Sequence, residues 1–80
     1  MMENDMPTFK TSDLLQAAYL MVSDAKLLAA TRQDTNRVLF TFADRGTCEG
    51  LVMNLTLSRA MVDASELFEA IRRAKRIVHA

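Results

Sequence analysis

The sequence has few of the residues that build disulfide-rich, metal-binding and phosphate-binding proteins. Among its 80 residues there are one cysteine, one histidine, one proline and two glycines. A lone cysteine forms no disulfide within the chain, which favours a reducing compartment, and we expect a cytoplasmic location. Cys48 and His79 alone do not make a zinc site, and Gly46 and Gly50 build no phosphate-binding GxGxxG or GxxxxGK loop. The sequence therefore predicts no metal, no cofactor and no small-molecule substrate.

Long apolar runs are also missing. No stretch approaches the roughly 18 residues that a membrane span needs, so we expect no membrane partner. The first residues carry Glu3 and Asp5, and they lack the basic start and apolar stretch of a signal peptide. We interpret residues 1–7 as a disordered leader and residues 8–80 as a single α+β domain.

The first predicted element of regular structure after a short extended lead-in is a helix over about Ser12 to Ser23. Thr11 or Ser12 can cap it, and Asp13 suits the positive end of its dipole. Its apolar residues recur at helical spacing and predict one core-facing side, made of Leu14, Leu15, Ala18, Met21, Val22 and Ala25. Leu20 projects away from that side, so we predict that it is an interface residue.

A β-hairpin follows this helix. Residues 26–31 and 37–43 are extended stretches on either side of the turn-forming residues 33–36. The second stretch alternates, and the side expected to face the core carries Val38, Phe40 and Phe42.

The stretch from Thr47 to Leu57 fits two kinds of structure. The spacing of Cys48, Leu51, Val52 and Leu55 fits a helix, whereas Met53, Leu55 and Leu57 alternate with polar residues as in a strand. Gly50 disfavours the helix by about 1 kcal/mol. Periodicity alone leaves both alternatives open.

The last predicted element is a long amphipathic helix. Asp63 caps its start, and Glu66 three residues later completes a capping-box pattern. The apolar stripe consists of Leu67, Ala70, Ile71, Ala74 and Val78. Together the elements predict an α+β fold with a short strand, a helix, a β-hairpin, a second helix over the ambiguous stretch, and this long C-terminal helix packed on a small antiparallel sheet.

Three groups of short motifs carry a resemblance to a known family. They are Phe9-Lys10-Thr11-Ser12-Asp13 leading into Leu14 and Ala17-Ala18-Tyr19-Leu20, then Val38-Leu39-Phe40-Thr41-Phe42, and finally Val62-Asp63-Ala64 with Arg72-Arg73-Ala74-Lys75-Arg76. Over residues 8–78 the chain resembles a family of small uncharacterised bacterial and phage proteins, classed only as a domain of unknown function. The resemblance implies a helix over Thr47 to Leu57 and an extended segment, a candidate third strand, over Ala60 to Val62. It implies no catalytic or ligand-binding residues.

Cys48 is the one candidate nucleophile. In the first turn of a helix after Arg45, the helix dipole and the guanidinium would lower the pKa of its thiol. A thiol enzyme also needs a base, and the one histidine, His79, is the penultimate residue of the sequence. Burial as a small apolar side chain is the favoured interpretation. No two carboxylates are spaced for acid–base chemistry, so we predict that the protein is not an enzyme.

The leading functional hypothesis is a small interaction or assembly module that self-associates. Small domains without disulfides or metals often gain stability by forming oligomers, and a homodimer is the favoured form. The chain also has more large apolar side chains than one small core readily hides. The candidate interface residues are Leu20, Phe68 and Ile77.

The alternative hypothesis is an accessory nucleic-acid-binding protein. Arg72, Arg73, Lys75 and Arg76 span about 160° of the last helix, at 100° per residue, and Arg37 or Arg32 at the hairpin tip can add to them. Such a face contacts phosphates. The same pattern, acids at the start and bases at the end, also complements a helix dipole without any ligand. The chain carries 10 basic and 10 acidic residues with a pI of about 6.5, whereas dedicated nucleic-acid-binding domains usually have a pI above about 9.

Overall fold

The computed structural model describes residues 7–80, so all of the predicted leader except Pro7 lies outside the described residues. Residues 7–80 form three strands and three helices. In chain order these are β1 (Thr8–Thr11), α1 (Leu14–Val22), β2 (Leu27–Asp34), β3 (Arg37–Ala43), α2 (Arg45–Thr56) and α3 (Ala64–Val78). This is the predicted α+β fold, in which the long C-terminal helix packs on a small antiparallel sheet.

The sheet is antiparallel, with the strand order β1–β3–β2. Phe9 of β1 and Leu27 of β2 both lie opposite Phe42 of the central strand. Residues 59–63 form no strand, so the third strand implied over Ala60 to Val62 is wrong. The short first strand of the predicted fold is β1, which pairs with the second edge of β3 and adds Phe9 to the core side of the sheet.

The core lies on one face of β3. Val38, Phe40 and Phe42 are 3%, 0% and 0% exposed, which confirms the predicted alternation. They form one cluster with Ala17 and Leu20 of α1, Cys48 of α2 and Ala74 of α3. All three helices therefore cover the same face of the sheet.

Helix α1 is more enclosed than a one-sided pattern predicts. Its buried residues are the four consecutive positions from Ala17 to Leu20, while Leu15 is exposed. The helix contacts β1, α2 and α3, so neighbours surround it on several sides. Leu20 is 0% exposed, and the prediction that it faces solvent as an interface residue is wrong.

Helix α2 occupies the ambiguous stretch. Asp44 caps its start by accepting a hydrogen bond from the N–H of Thr47 at 3.2 Å. Cys48 is buried, and the predicted helix face also places Leu51 and Val52 against the core. Gly50 has open space beside it, so it lies on the outer side of the helix and its cost in helix propensity is offset by packing of the inner side.

Helix α3 begins and packs as the sequence predicts. The Asp63 carboxylate accepts the N–H of Glu66 at 3.0 Å and caps the helix. Ala70 and Ala74 are buried against the rest of the protein. Small side chains at these two positions let α3 approach α1 and the sheet closely.

Candidate interaction surfaces

The basic residues of α3 are not all available to a ligand. Arg72 Nη1 lies 2.9 Å from Glu69 Oε2, one turn earlier on the same helix. Both side chains are mostly exposed, so this ion pair contributes little to stability. It does place a negative charge within the predicted basic face, which lowers the attraction of that face for phosphate.

Arg73 and Arg76 lie along a shallow groove between α1 and α3. The groove has a volume of about 450 Å³. Its apolar lining comes from Met21, Val22 and Ala70, and its polar lining includes Ser65, Glu66 and Glu69 besides the two arginines. Two acids and two bases therefore share one surface, which is not the single-signed charge of a phosphate-binding cleft.

Arg32 joins the hairpin to the end of α3. Its Nη2 donates to the carbonyl oxygens of Val78 at 2.7 Å and Ala80 at 3.2 Å. Its Nη1 donates to the carbonyl oxygens of Asp34 and Thr35 in the hairpin turn. The guanidinium thus satisfies carbonyls that a helix end leaves without partners.

This link was not predicted from the sequence, where Arg32 was a candidate for phosphate contact. The hydrogen bonds of the Arg32 guanidinium are made within the protein instead of to a phosphate. The link also holds the hairpin tip, where Arg37 is exposed, against the end of α3 that carries Lys75 and Arg76. The structure therefore brings the hairpin tip with Arg37 to the end of α3 that carries two of the four predicted basic residues of that helix.

Strand β2 is the least covered element of the sheet. Seven of its eight residues are exposed, and Leu28 is 50% exposed. Among residues 7–80, no strand lies on its outer edge. The other edge strand, β1, has four residues and contacts α1 and α2. The long open edge therefore belongs to β2, and such an edge presents backbone N–H and C=O groups that can pair with another strand.

The other two predicted interface residues have different environments. Phe68 is 59% exposed on α3, so the chain itself does not cover it and its place in an interface stays a prediction. Ile77 is half-buried and packs against the core cluster, so the chain itself covers much of it. Further exposed apolar side chains are Leu15, Met53, Leu57 and Met61.

The Cys48 thiol does not have the environment of a nucleophile. It is 1% exposed and donates to the carbonyl oxygen of Ala43 at 3.4 Å. Burial raises the pKa of this thiol, and the nearby Asp44 carboxylate raises it further. The expectation that the helix start and Arg45 lower the pKa is wrong, because loss of hydration and a negative neighbour both oppose thiolate formation.

Modification of Cys48 is therefore expected to be slow in the folded protein. At neutral pH a disulfide reagent should react about 100-fold or more slowly with the native chain than with the urea-unfolded chain, because reaction needs an opening of the core. Absorbance of the released thiol measures both rates. Equal rates would show that the thiol is accessible in the folded protein and would support Cys48 as a nucleophile.

Groups of three or more metal-ligating side chains are absent from residues 7–80. No helix in the same part of the chain is long and apolar enough to cross a membrane. Comparison with protein-family models, with curated proteins and with solved structures finds no match. The resemblance to small uncharacterised bacterial and phage proteins therefore stays a prediction.

Proposed function

We propose that the protein is a small non-enzymatic interaction module that self-associates. The observation that supports this most directly is the open edge of β2, which has no neighbouring strand among residues 7–80. Folded proteins usually shorten such an edge, cover it, or interrupt it with lysine, proline or a β-bulge. β2 is eight residues long and contains neither lysine nor proline, and its two irregular positions fall near its ends, so that Ala29 to Arg32 pair regularly with β3.

The composition of β2 strengthens this proposal. From Leu27 to Thr31 the strand carries only uncharged side chains. Its single basic residue, Arg32, has its guanidinium bonded to carbonyl oxygens of the chain. An uncharged, exposed strand edge favours pairing with a second strand over solvation.

The molar mass in solution tests self-association. Sedimentation equilibrium or light scattering at high micromolar concentration should give twice the 9.0 kDa monomer mass, with dissociation on dilution. The dependence on concentration is part of the expectation, because a reversible dimer follows mass action. A mass of 9.0 kDa over the whole range would contradict the proposal.

A second candidate function is accessory binding of nucleic acid. The observation that favours it is the Arg32 link, since it gathers Arg37, Lys75 and Arg76 at one end of the protein. The Arg72–Glu69 pair and the acids of the α1–α3 groove oppose it. We place this function second for that reason.

Retention on a polyanion column tests the second candidate. The protein should be retained at low salt and released by a few hundred millimolar salt, because binding to phosphates releases counterions. The double variant Lys75→Glu/Arg76→Glu should not be retained, while its circular dichroism stays that of the parent. Absence of retention of the parent at low salt would exclude this function.

A further inference from the structure

We propose that the partner of β2 is β2 of a second copy, paired antiparallel about a two-fold axis at Ala30, so that the two sheets form one continuous six-stranded sheet. The inference deepens the proposed self-association and depends on it. A two-fold axis is the commonest symmetry of protein dimers, and it brings the same surface of each copy together.

The distribution of charge along β2 favours its own copy in antiparallel orientation. Lys26 immediately precedes the strand and Asp34 ends it. With Ala30 opposite Ala30 of the second copy, residue numbers across the pair add to 60, which places Lys26 opposite Asp34 twice. Opposite charges at both ends attract across the strands. The one charged residue between them, Arg32, lies opposite Leu28, and its guanidinium is hydrogen-bonded to carbonyl oxygens of its own chain.

Side-chain alternation selects this register over its immediate neighbours. Ala29 and Thr31 pair with Thr41 and Leu39 and so point to the face without helices, whereas Ala30 pairs with Phe40 on the helix side. Pairing Ala30 with itself puts Ala29 opposite Thr31 on the same face. A shift by one residue would oppose side chains of different faces, which a regular ladder does not allow.

The charges also disfavour the registers in which the axis moves by a full residue. With the axis at Ala29, Lys26 would lie opposite Arg32, and two positive charges would meet. With the axis at Thr31, Asp34 would lie opposite Leu28 and would lose its partner. The irregular positions in the pairing with β3 fall near the two ends of β2 and leave Ala29 to Arg32 regular at the centre.

Charge substitution at Ala30 tests the axis. Ala30 is exposed and lies outside the core cluster, so Ala30→Lys and Ala30→Glu are expected to fold. Each variant alone would place two like charges next to each other at the axis, and its dimer should dissociate about fivefold or more readily. An equimolar mixture of the two variants should restore dimers, because each Lys then meets a Glu.

Lys10→Glu is the control variant. Lys10 is exposed on the face without helices, opposite Thr41, and away from the edge of β2. Its reversal should leave the dimer mass unchanged. Loss of dimers in Lys10→Glu, with both Ala30 variants unaffected, would show stacking through the open face and overturn edge pairing.

The outcomes separate the inference from the function it depends on. A monomeric parent protein overturns both. A dimeric parent whose Ala30 variants remain dimeric, or whose mixture is not restored, overturns the pairing at Ala30 and leaves self-association standing. Amide hydrogen exchange of the parent gives a measurement without substitutions: protection within β2 should rise with protein concentration, and concentration-independent exchange there in a dimeric sample would contradict the pairing.

Discussion

Replacing Phe40 with alanine is expected to lower the free energy of unfolding by about 3–5 kcal/mol. Phe40 is 0% exposed at the centre of the middle strand, where its ring packs in the cluster that joins the sheet to all three helices. Removal of the ring forfeits its burial and leaves a cavity that rigid neighbours on both sides fill only in part. A domain of 80 residues has a stability of about 4–12 kcal/mol, so the variant should lose about a quarter of that stability or more.

Urea unfolding followed by circular dichroism measures this loss. All variants need the same protein concentration, because self-association raises the apparent stability of the folded state. Leu39→Ala is the matched control, since Leu39 neighbours Phe40 on the opposite, half-buried face of β3. It should cost about 1 kcal/mol. Equal losses in the two variants would contradict a core confined to one face of the sheet.

The parts of the fold that the sequence predicts well are those set by local pattern. The alternation from Val38 to Phe42 determines which side chains face the core, because successive side chains of a strand point to opposite faces of the sheet. The cap at Asp63 follows from the chemistry of a helix start, in which a carboxylate accepts N–H groups within three residues. Asp63 is therefore predicted correctly as the cap of α3. At α1 the same chemistry acts at Asp13, which accepts the N–H of Gln16, and the predicted cap at Thr11 or Ser12 is wrong.

The stretch from Thr47 to Leu57 is a part of the fold that the local sequence pattern does not determine. Its apolar residues satisfy a helical and an alternating spacing at the same time, and Gly50 counts against the helix in isolation. Tertiary packing decides in favour of α2, since burying Cys48 against the sheet needs a helical face. Family resemblance implied the helix correctly but also implied a strand over Ala60 to Val62 that does not form.

Contacts between distant parts of the chain account for most of what sequence reasoning missed. The hydrogen bond from Arg32 to the Val78 carbonyl oxygen connects residues 46 positions apart, and no periodicity of the sequence predicts such a contact. The open edge of β2 likewise depends on β1 pairing with the far side of β3. The candidate surface is therefore a product of topology, which the pattern of β2 alone does not reveal.

Alanine substitutions at Leu20 and Phe68 should have very different effects on stability. Both are candidate interface residues in the sequence, but Leu20 is buried in the structure and Phe68 is exposed. Leu20→Ala is expected to lower the free energy of unfolding by about 2–5 kcal/mol. Its side chain is 0% exposed and belongs to the central cluster. Phe68→Ala should change the free energy of unfolding by about 0.5 kcal/mol or less, since its ring is 59% exposed.

The same pair of variants also bears on how the protein associates. If β2 edges form the dimer, Phe68→Ala should leave the dimer dissociation constant unchanged, because Phe68 lies on α3 and outside the paired strands. Urea unfolding and sedimentation equilibrium on the same samples measure the two quantities independently. A Phe68→Ala variant that keeps its stability as a monomer but loses the dimer would move the interface to the outer side of α3. A Leu20→Ala variant as stable as the parent would contradict the enclosed position of α1, on which the description of the core depends.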